Sequence, residues 1–321
     1  MKFGIQLHPD EGIDAVMAEA RRADDLGFDS IWLWDHLMLH RGDDHLPDRP
    51  FDPFTLMTAL AAVTKRTRLA WATLNLSFRS PPVLAKMLTT LDHISHGRVI
   101  ACIGSGWFKD ECDAYNIRFP EEHGDRMDYA REVIELWEEL WAHPAPERVT
   151  YEGKYVQVRD LPFNPAPYQK PRMPIWWGGD SEASVETVKR YCEGWLMISS
   201  GNPETLNRVR SAPDWPTRPM TLIKGARVIV HERRDAALAE AEREYEFVRA
   251  TQPANAPPTF DDFLAREVVG TPDDCLARLA EIESWGINYL RLTFRDQDLE
   301  HRVARLLLPR LAEIEGQPLA V

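Results

Sequence analysis

Residues 2–36 read KFGIQLHPDEGIDAVMAEARRADDLGFDSIWLWDH, and residues 275–294 read CLARLAEIESWGINYLRLTF. In the first stretch an alternating run over 2–7 leads into apolar side chains at Ile13, Val16, Met17, Ala20, Ala23 and Leu26, the spacing of one helical face. Gly27 stops that helix, and FDSIWLW (28–34) follows as a buried strand. In the second stretch Cys275, Leu276, Leu279 and Ile282 form the stripe, Gly286 ends it, and NYLRLTF (288–294) is the strand. One unit, helix then glycine then strand, therefore stands at both ends of the chain.

Between them lie β-rich apolar runs at 68–73, 98–103, 174–177, 194–198 and 222–230. Helical patterns at 53–63, 83–91, 126–141 and 183–191 separate most of them. With two N-terminal strands and the C-terminal one, the runs add up to eight, which predicts an α/β fold: a single (β/α)8 TIM barrel over 1–321. An open doubly wound sheet is the alternative, but HPDEG stands where a G-x-G-x-x-G loop would follow the first strand. Two spacings exceed an even barrel, at about 105–173 after strand four and 232–267 after strand seven; a hairpin is expected around Glu152, Gly153 and Lys154. Insertions of this size are expected to build or cover the active-site mouth, with plain linker as the other reading.

Hydrophobic residues at 44% and charged residues at 28% of 321 fit a soluble globular chain and exclude a disordered or membrane-embedded one. The 51 acidic side chains outnumber 38 basic ones, and a net charge of -13 opposes nucleic acid and anionic membrane as partners. MKFGIQL carries no apolar signal segment and nowhere do 18 apolar residues run together, so a cytoplasmic protein is expected. Cys102, Cys112, Cys192 and Cys275 include no C-x-x-C pair, which suits buried free thiols rather than disulfides or a zinc knuckle.

In a barrel, side chains at the C-terminal strand ends face the pocket. There the sequence sets Asp35-His36, then Thr73-Leu74-Asn75, then Gly104-Ser105-Gly106-Trp107 with Glu111 one turn on, and then Gly178-Gly179-Asp180-Ser181 before a helix. The last of these offers free N–H groups that suit a phosphate; its plainer reading is helix capping by Asp180 or Ser181. His36, steadied by a carboxylate, could donate or accept a proton, or be an ordinary hydrogen-bonded histidine. His36, His40, Asp43, Asp44 and His45 also raise a metal-dependent barrel hydrolase, a function of another class. An i, i+4 imidazole pair needs a helix, whereas this segment leaves a strand and runs into RGDD, so no metal ligand is assigned. Trp107, Trp176, Trp177 and Trp195 are read as core and pocket wall.

FDSIWLWDH (28–36), FTLMTALAAVTKRTRLAWATLNLSFRSPPVLAKMLTTLDHISHGRV (54–99), IGSGWFKDECDAYNI (103–117), DRMDYAREVIELW (125–137) and PIWWGGDSEASV (174–185), in this order and spacing, closely resemble the bacterial luciferase-like superfamily of flavin- and deazaflavin-dependent oxidoreductases. The resemblance implies a (β/α)8 barrel with a reduced flavin ring in its mouth and the cofactor phosphate near strand five. Asp35-His36 matches the position of an active-site histidine beside the ring. Thr73-Leu74 falls where relatives carry a non-proline cis peptide bond beneath it. Glu111, Arg126 and Ser181 match cofactor-contacting positions of the pyrimidine-ring-opening monooxygenases, and Gly178, Gly179 and Asp180 share the phosphate turn. Cys102 stands where those enzymes have a ring-contacting Asn, so their substrate does not transfer. Two chemistries follow from the resemblance. One is monooxygenation of a small organic substrate with oxygen and reduced FMN from a separate flavin reductase, which is preferred. The other is hydride transfer with coenzyme F420, and a non-catalytic flavin-binding barrel is a further alternative. A homodimer is expected.

Overall fold

The computed structural model describes residues 1–9, 12–38, 51–197, 202–251, 256–295 and 297–314. The chain runs β1 (Lys2–Gln6), α1 (Ile13–Leu26), β2 (Ser30–Leu33), α2 (Pro53–Val63), β3 (Arg68–Trp71), β4 (Leu74–Asn75), α3 (Pro81–Ile94) and β5 (Ala101–Gly104). It continues through α4 (Lys109–Ala114), α5 (His123–Ala142), β6 (Arg148–Glu152), β7 (Gln157–Pro162), β8 (Ile175–Gly178), α6 (Glu182–Tyr191), β9 (Gly194–Met197) and α7 (Pro203–Arg210). The last third holds β10 (Thr221–Ala226), β11 (Val228–Val230), α8 (Arg234–Thr251), α9 (Phe260–Arg266), β12 (Val268–Gly270), α10 (Pro272–Ser284), β13 (Tyr289–Leu292), α11 (Gln297–Leu306) and α12 (Leu308–Ile314).

Nine of these strands make one parallel sheet in the order β3-β2-β1-β13-β10-β9-β8-β5-β4. A parallel bridge between Leu69 and Val99 brings its two ends together, so the sheet curls into a barrel. The repeated end units pair with each other: Phe3 lies beside Leu290 and Ile5 beside Leu292. Local signals set the elements. Gly27 takes φ 87 at the end of α1, where its N–H bonds back to Ala23 and Asp24. Asp52 caps α2 through Thr55 N–H, with Pro53 at its first position. Side chains alternate across each strand. One set packs under the helices, and the other fills the barrel with Trp32, Ala70, Ile100, Cys102, Trp176, Leu196, Ile223 and Tyr289. Space for Trp176 comes from Gly194, where a Cβ would lie 2.5 Å from the indole.

Two strands differ from the expectation. The third is broken: Ala72 N–H still bonds Leu33 O at 2.8 Å, while Leu74 already pairs with Ile103 of β5. The chain changes partner between these residues, and the non-proline cis bond is Ala72-Thr73, one residue before the expected Thr73-Leu74. The seventh is split, because residues 228–230 leave the barrel to pair in parallel with β12. The excursion β11–α8–α9–β12 thus stands at the C-terminal end of the barrel strands, in keeping with an insertion beside the mouth. The first insertion divides. Residues 105–117 lie at the mouth, but α5 is an ordinary barrel helix between α3 and α6, joined to them by Trp137 Nε1–H to Pro81 O (2.9 Å) and by Arg131 to Thr187 and Ala183. The β6–β7 hairpin lies along the flank of α5, where Glu132 accepts the N–H groups of Lys154, Tyr155 and Val156. Among the described residues no helix is long and apolar enough to cross a membrane.

Candidate active site at the barrel mouth

His36 leaves β2 at the C-terminal end of the barrel, and the carboxylate that holds it comes from 75 residues downstream: His36 Nδ1 lies 2.9 Å from Glu111 Oε2. Glu111 is fully buried, and its other oxygen accepts the N–H groups of Leu37 and Met38. With two backbone N–H groups on its other oxygen, Glu111 is placed as an acceptor, which suits an imidazole that donates through Nδ1. Nε2 is then the basic nitrogen, and no described residue bonds it. Trp107 stands edge-on to the imidazole, centroids 5.7 Å apart, and stacks on Phe108. Tyr115 donates its hydroxyl to Leu37 O at 3.4 Å. Residues 105–117 therefore both orient His36 and set aromatic side chains around it.

Asp35 faces another way. Adjacent side chains on a non-helical segment point to opposite sides, and Asp35 is buried against Arg79, whose Nη1 lies 3.0 Å from Oδ2, while Asn75 N–H donates to the same oxygen at 2.8 Å. Arg79 also holds Asp52 at 2.7 Å and covers the Phe54 ring. Burial pushes the Asp35 carboxyl up, against the pull of Arg79 and the Asn75 N–H. Burial likewise opposes the charge on Arg79, but Asp35 and Asp52 raise its proton affinity above that of an ordinary guanidinium. The expected Asp35-His36 pair is thus two separate devices: Asp35 ties the end of β2 to β4 and α2, and Glu111 rather than Asp35 steadies the imidazole.

Thr73 occupies the floor of the mouth. A Cβ on Gly104 would meet Thr73 Oγ1 at 2.4 Å and one on Gly178 would meet its Cγ2 at 2.2 Å, so glycines at the ends of β5 and β8 clear the space for this side chain. Leu74 is buried in the outer core. Cys102 belongs to the barrel filling below, where burial pushes its thiol up and the Arg291 charge works against that rise.

At the end of β8, Gly179 has φ 145 and its Cβ position lies 2.8 Å from Ser184 Oγ, a backbone only glycine suits. Ser181 caps α6, accepting Ser184 N–H at 3.1 Å, so the capping reading of this turn holds. Arg126, near the start of α5, bonds Pro120 O and Glu121 O and covers Phe119; its Nε has no hydrogen-bond partner among the described residues. Among the described residues no hydrogen bond joins Arg126 to 178–181; Arg131 and Glu135, further along α5, are residues that reach α6. Among the described residues no group of three His, Cys, Asp or Glu side chains could hold a metal ion, and His40, Asp43, Asp44 and His45 lie outside the described residues.

Arg79 and Arg291 are the functional-looking residues that pattern reading passed over. The signal for Arg291 was present: in NYLRLTF the inward positions are Tyr289, Arg291 and Thr293, a guanidinium where a barrel filling calls for an apolar side chain.

Residues 1–289 match the family described as luciferase-like monooxygenase. An F420-dependent glucose-6-phosphate dehydrogenase of Microbacterium testaceum is 34% identical over 64% of this chain and 58% of its own length. A pyrimidine monooxygenase of Bradyrhizobium, RutA, is 32% identical over 56% of this chain and 49% of its own. The match thus spans only half to three-fifths of either relative. The crystal structure of the monooxygenase RslO1 from Streptomyces bottropensis superposes with a TM-score of 0.77 at 25% identity, over 97% of this chain and 100% of that one.

Proposed function

The chain belongs to the luciferase-like monooxygenase family, and from that premise we propose that it is a flavin-dependent monooxygenase that oxidises a small organic molecule with oxygen and reduced FMN. One observation carries the reading: the Thr73 floor between Gly104 and Gly178 lies in the same mouth as an imidazole whose Nδ1 is tied to a buried carboxylate. The residues present fit a planar cofactor, because Thr73, seated between Gly104 and Gly178, leaves one small side chain as the floor on which a ring would rest. When bound, a reduced flavin supplies two electrons, to oxygen in a monooxygenase or directly to the substrate in an F420-type enzyme.

The chain's own groups would do the rest. Thr73, Gly104 and Gly178 would support the ring, and the N–H groups of Asp180 and Ser181 at the start of α6, brought close by the Gly178-Gly179 turn, would receive the phosphate. Arg126 would join them by exchanging its backbone carbonyl partners for phosphate oxygens. His36, with Nε2 as its basic nitrogen, would hold or move a proton at the reacting centre. Trp107, Phe108 and Tyr115 would keep water from the mouth. A separate reductase would supply the reduced FMN. Support for monooxygenation comes from RslO1, a monooxygenase matched over its whole length. A second reading, F420-dependent hydride transfer, is favoured by the 34% identity to a dehydrogenase of that type.

The phosphate assignment is tested by combining Ser181→Ala with Arg126→Ala. Cofactor affinity, followed by flavin fluorescence, should fall by about 2–4 kcal/mol in total, with thermal melts checking that the loss of the α6 cap has not unfolded the protein. Equal affinity in wild type and variant would move the phosphate elsewhere.

A further inference from the structure

We infer that Arg291 receives an anionic group of the substrate, a carboxylate or a phosphate, inside the barrel mouth. The inference rests on the reading of the mouth as the active site and names the substrate class for it.

Arg291 lies on β13 two residues beyond Tyr289, so its side chain points into the barrel and stands on the C-terminal side of the aromatic filling. Its register neighbours are Gly4 on β1 and Gly225 on β10, so no side chain flanks it within the layer of the sheet. Nη1 donates to Gln6 Oε1 at 2.7 Å. Gln6 is itself fixed: its Nε2 donates to Trp32 O at 3.0 Å and Leu7 O at 3.2 Å, which turns the amide oxygen toward Arg291. This neutral amide is the only hydrogen-bond partner of the guanidinium among the described residues, and no carboxylate forms an ion pair with it. Nε is shut off from solvent without a partner among the described residues. The neighbouring cation, Arg227, is already paired with Glu244 and Glu267. Burial lowers the Arg291 pKa to about 10, the Cys102 thiol works the other way, and no carboxylate adds to it; the group still carries its charge at neutral pH.

A half-buried cation held only by an amide is costly to the empty fold. Arg79, on the same barrel, shows the usual remedy, two carboxylates. Arg291 lacks that remedy at the mouth end of the barrel, where it stays partly exposed, and a rigid fork with unpaired N–H groups matches the geometry of an incoming oxyanion. The overall charge of -13 works against anions at long range, so a local receiver is what an anionic substrate would need here.

The test uses the full chain and three probes of one shape: benzoate, phenyl phosphate and neutral benzamide. Binding is read by tryptophan fluorescence and by the rise in melting temperature, in protein saturated with whichever of FMN and F420 it binds. Wild type should bind at least one oxyanion saturably and benzamide at least about tenfold more weakly. R291M should lose about tenfold or more in oxyanion affinity, keep its flavin affinity, and melt without ligand no lower than wild type, because a half-buried charge without an acid partner has gone. R291K, which keeps the charge but not the fork, should fall between. Four results would overturn the inference: no oxyanion bound by wild type, equal binding in wild type and R291M, oxyanions competing with the flavin, or a ligand-free R291M that melts several degrees lower. A wild type that binds oxyanions through Arg291 but no flavin would keep the receiver and sink the flavin reading alone.

Discussion

His36→Ala should lower turnover by about 10²-fold or more while leaving the melting temperature and cofactor affinity near wild type, as loss of a positioned general acid or base does. The imidazole is 15% exposed on its side chain and, among the described residues, its ring makes one hydrogen bond, to Glu111, so little of the described fold depends on it. The measurement is a single-turnover rate on the substrate that wild type accepts, with thermal melts in parallel. Glu111→Gln should fall between the two proteins, because an amide oxygen still accepts the N–H groups of Leu37 and Met38 but no longer brings a charge to Nδ1. Unchanged turnover in His36→Ala would remove the residue from the chemistry.

Its chain neighbour should behave in the opposite way. Asp35→Ala is expected to destabilise by about 3–5 kcal/mol, the cost of removing one partner from a buried ion pair. It leaves Arg79 with Asp52 alone and Asn75 N–H without its acceptor. Urea denaturation should show the loss, and Arg79→Met in the same chain should recover part of it, since the two residues interact directly. At temperatures where Asp35→Ala remains folded, its turnover should stay within a few-fold of wild type. A variant as stable as wild type but as slow as His36→Ala would return Asp35 to the chemistry and contradict the geometry.

These paired outcomes separate what could be read in the chain from what could not. Helix α2 lies where apolar spacing put it, at Pro53–Val63, and the glycine-ended units at both termini pair side by side as a closed barrel requires. Those features depend on neighbours in sequence. Partners chosen across the fold were invisible: Glu111 reaches His36 over 75 residues, and Asp35 finds Arg79 over 44. The break between β3 and β4 was hidden for another reason. LAWATLNL is apolar on both sides of the break, so pattern alone shows one strand where the chain changes partners. The glycines at 104 and 178 were legible as an oddity at strand ends, but their purpose, room for Thr73, required the side chain that fills it.

Whether the mouth takes a reduced flavin is tested most directly by anaerobic titration of the whole chain with reduced FMN and, separately, reduced F420, followed by admission of oxygen to the FMN complex. Reduced FMN is expected to bind saturably, with equal affinity in His36→Ala, and to be reoxidised on the protein at a rate different from that of free FMN. Saturable binding of F420 alone would replace monooxygenation with hydride transfer. Binding of neither cofactor would contradict the assignment of the mouth as a flavin site.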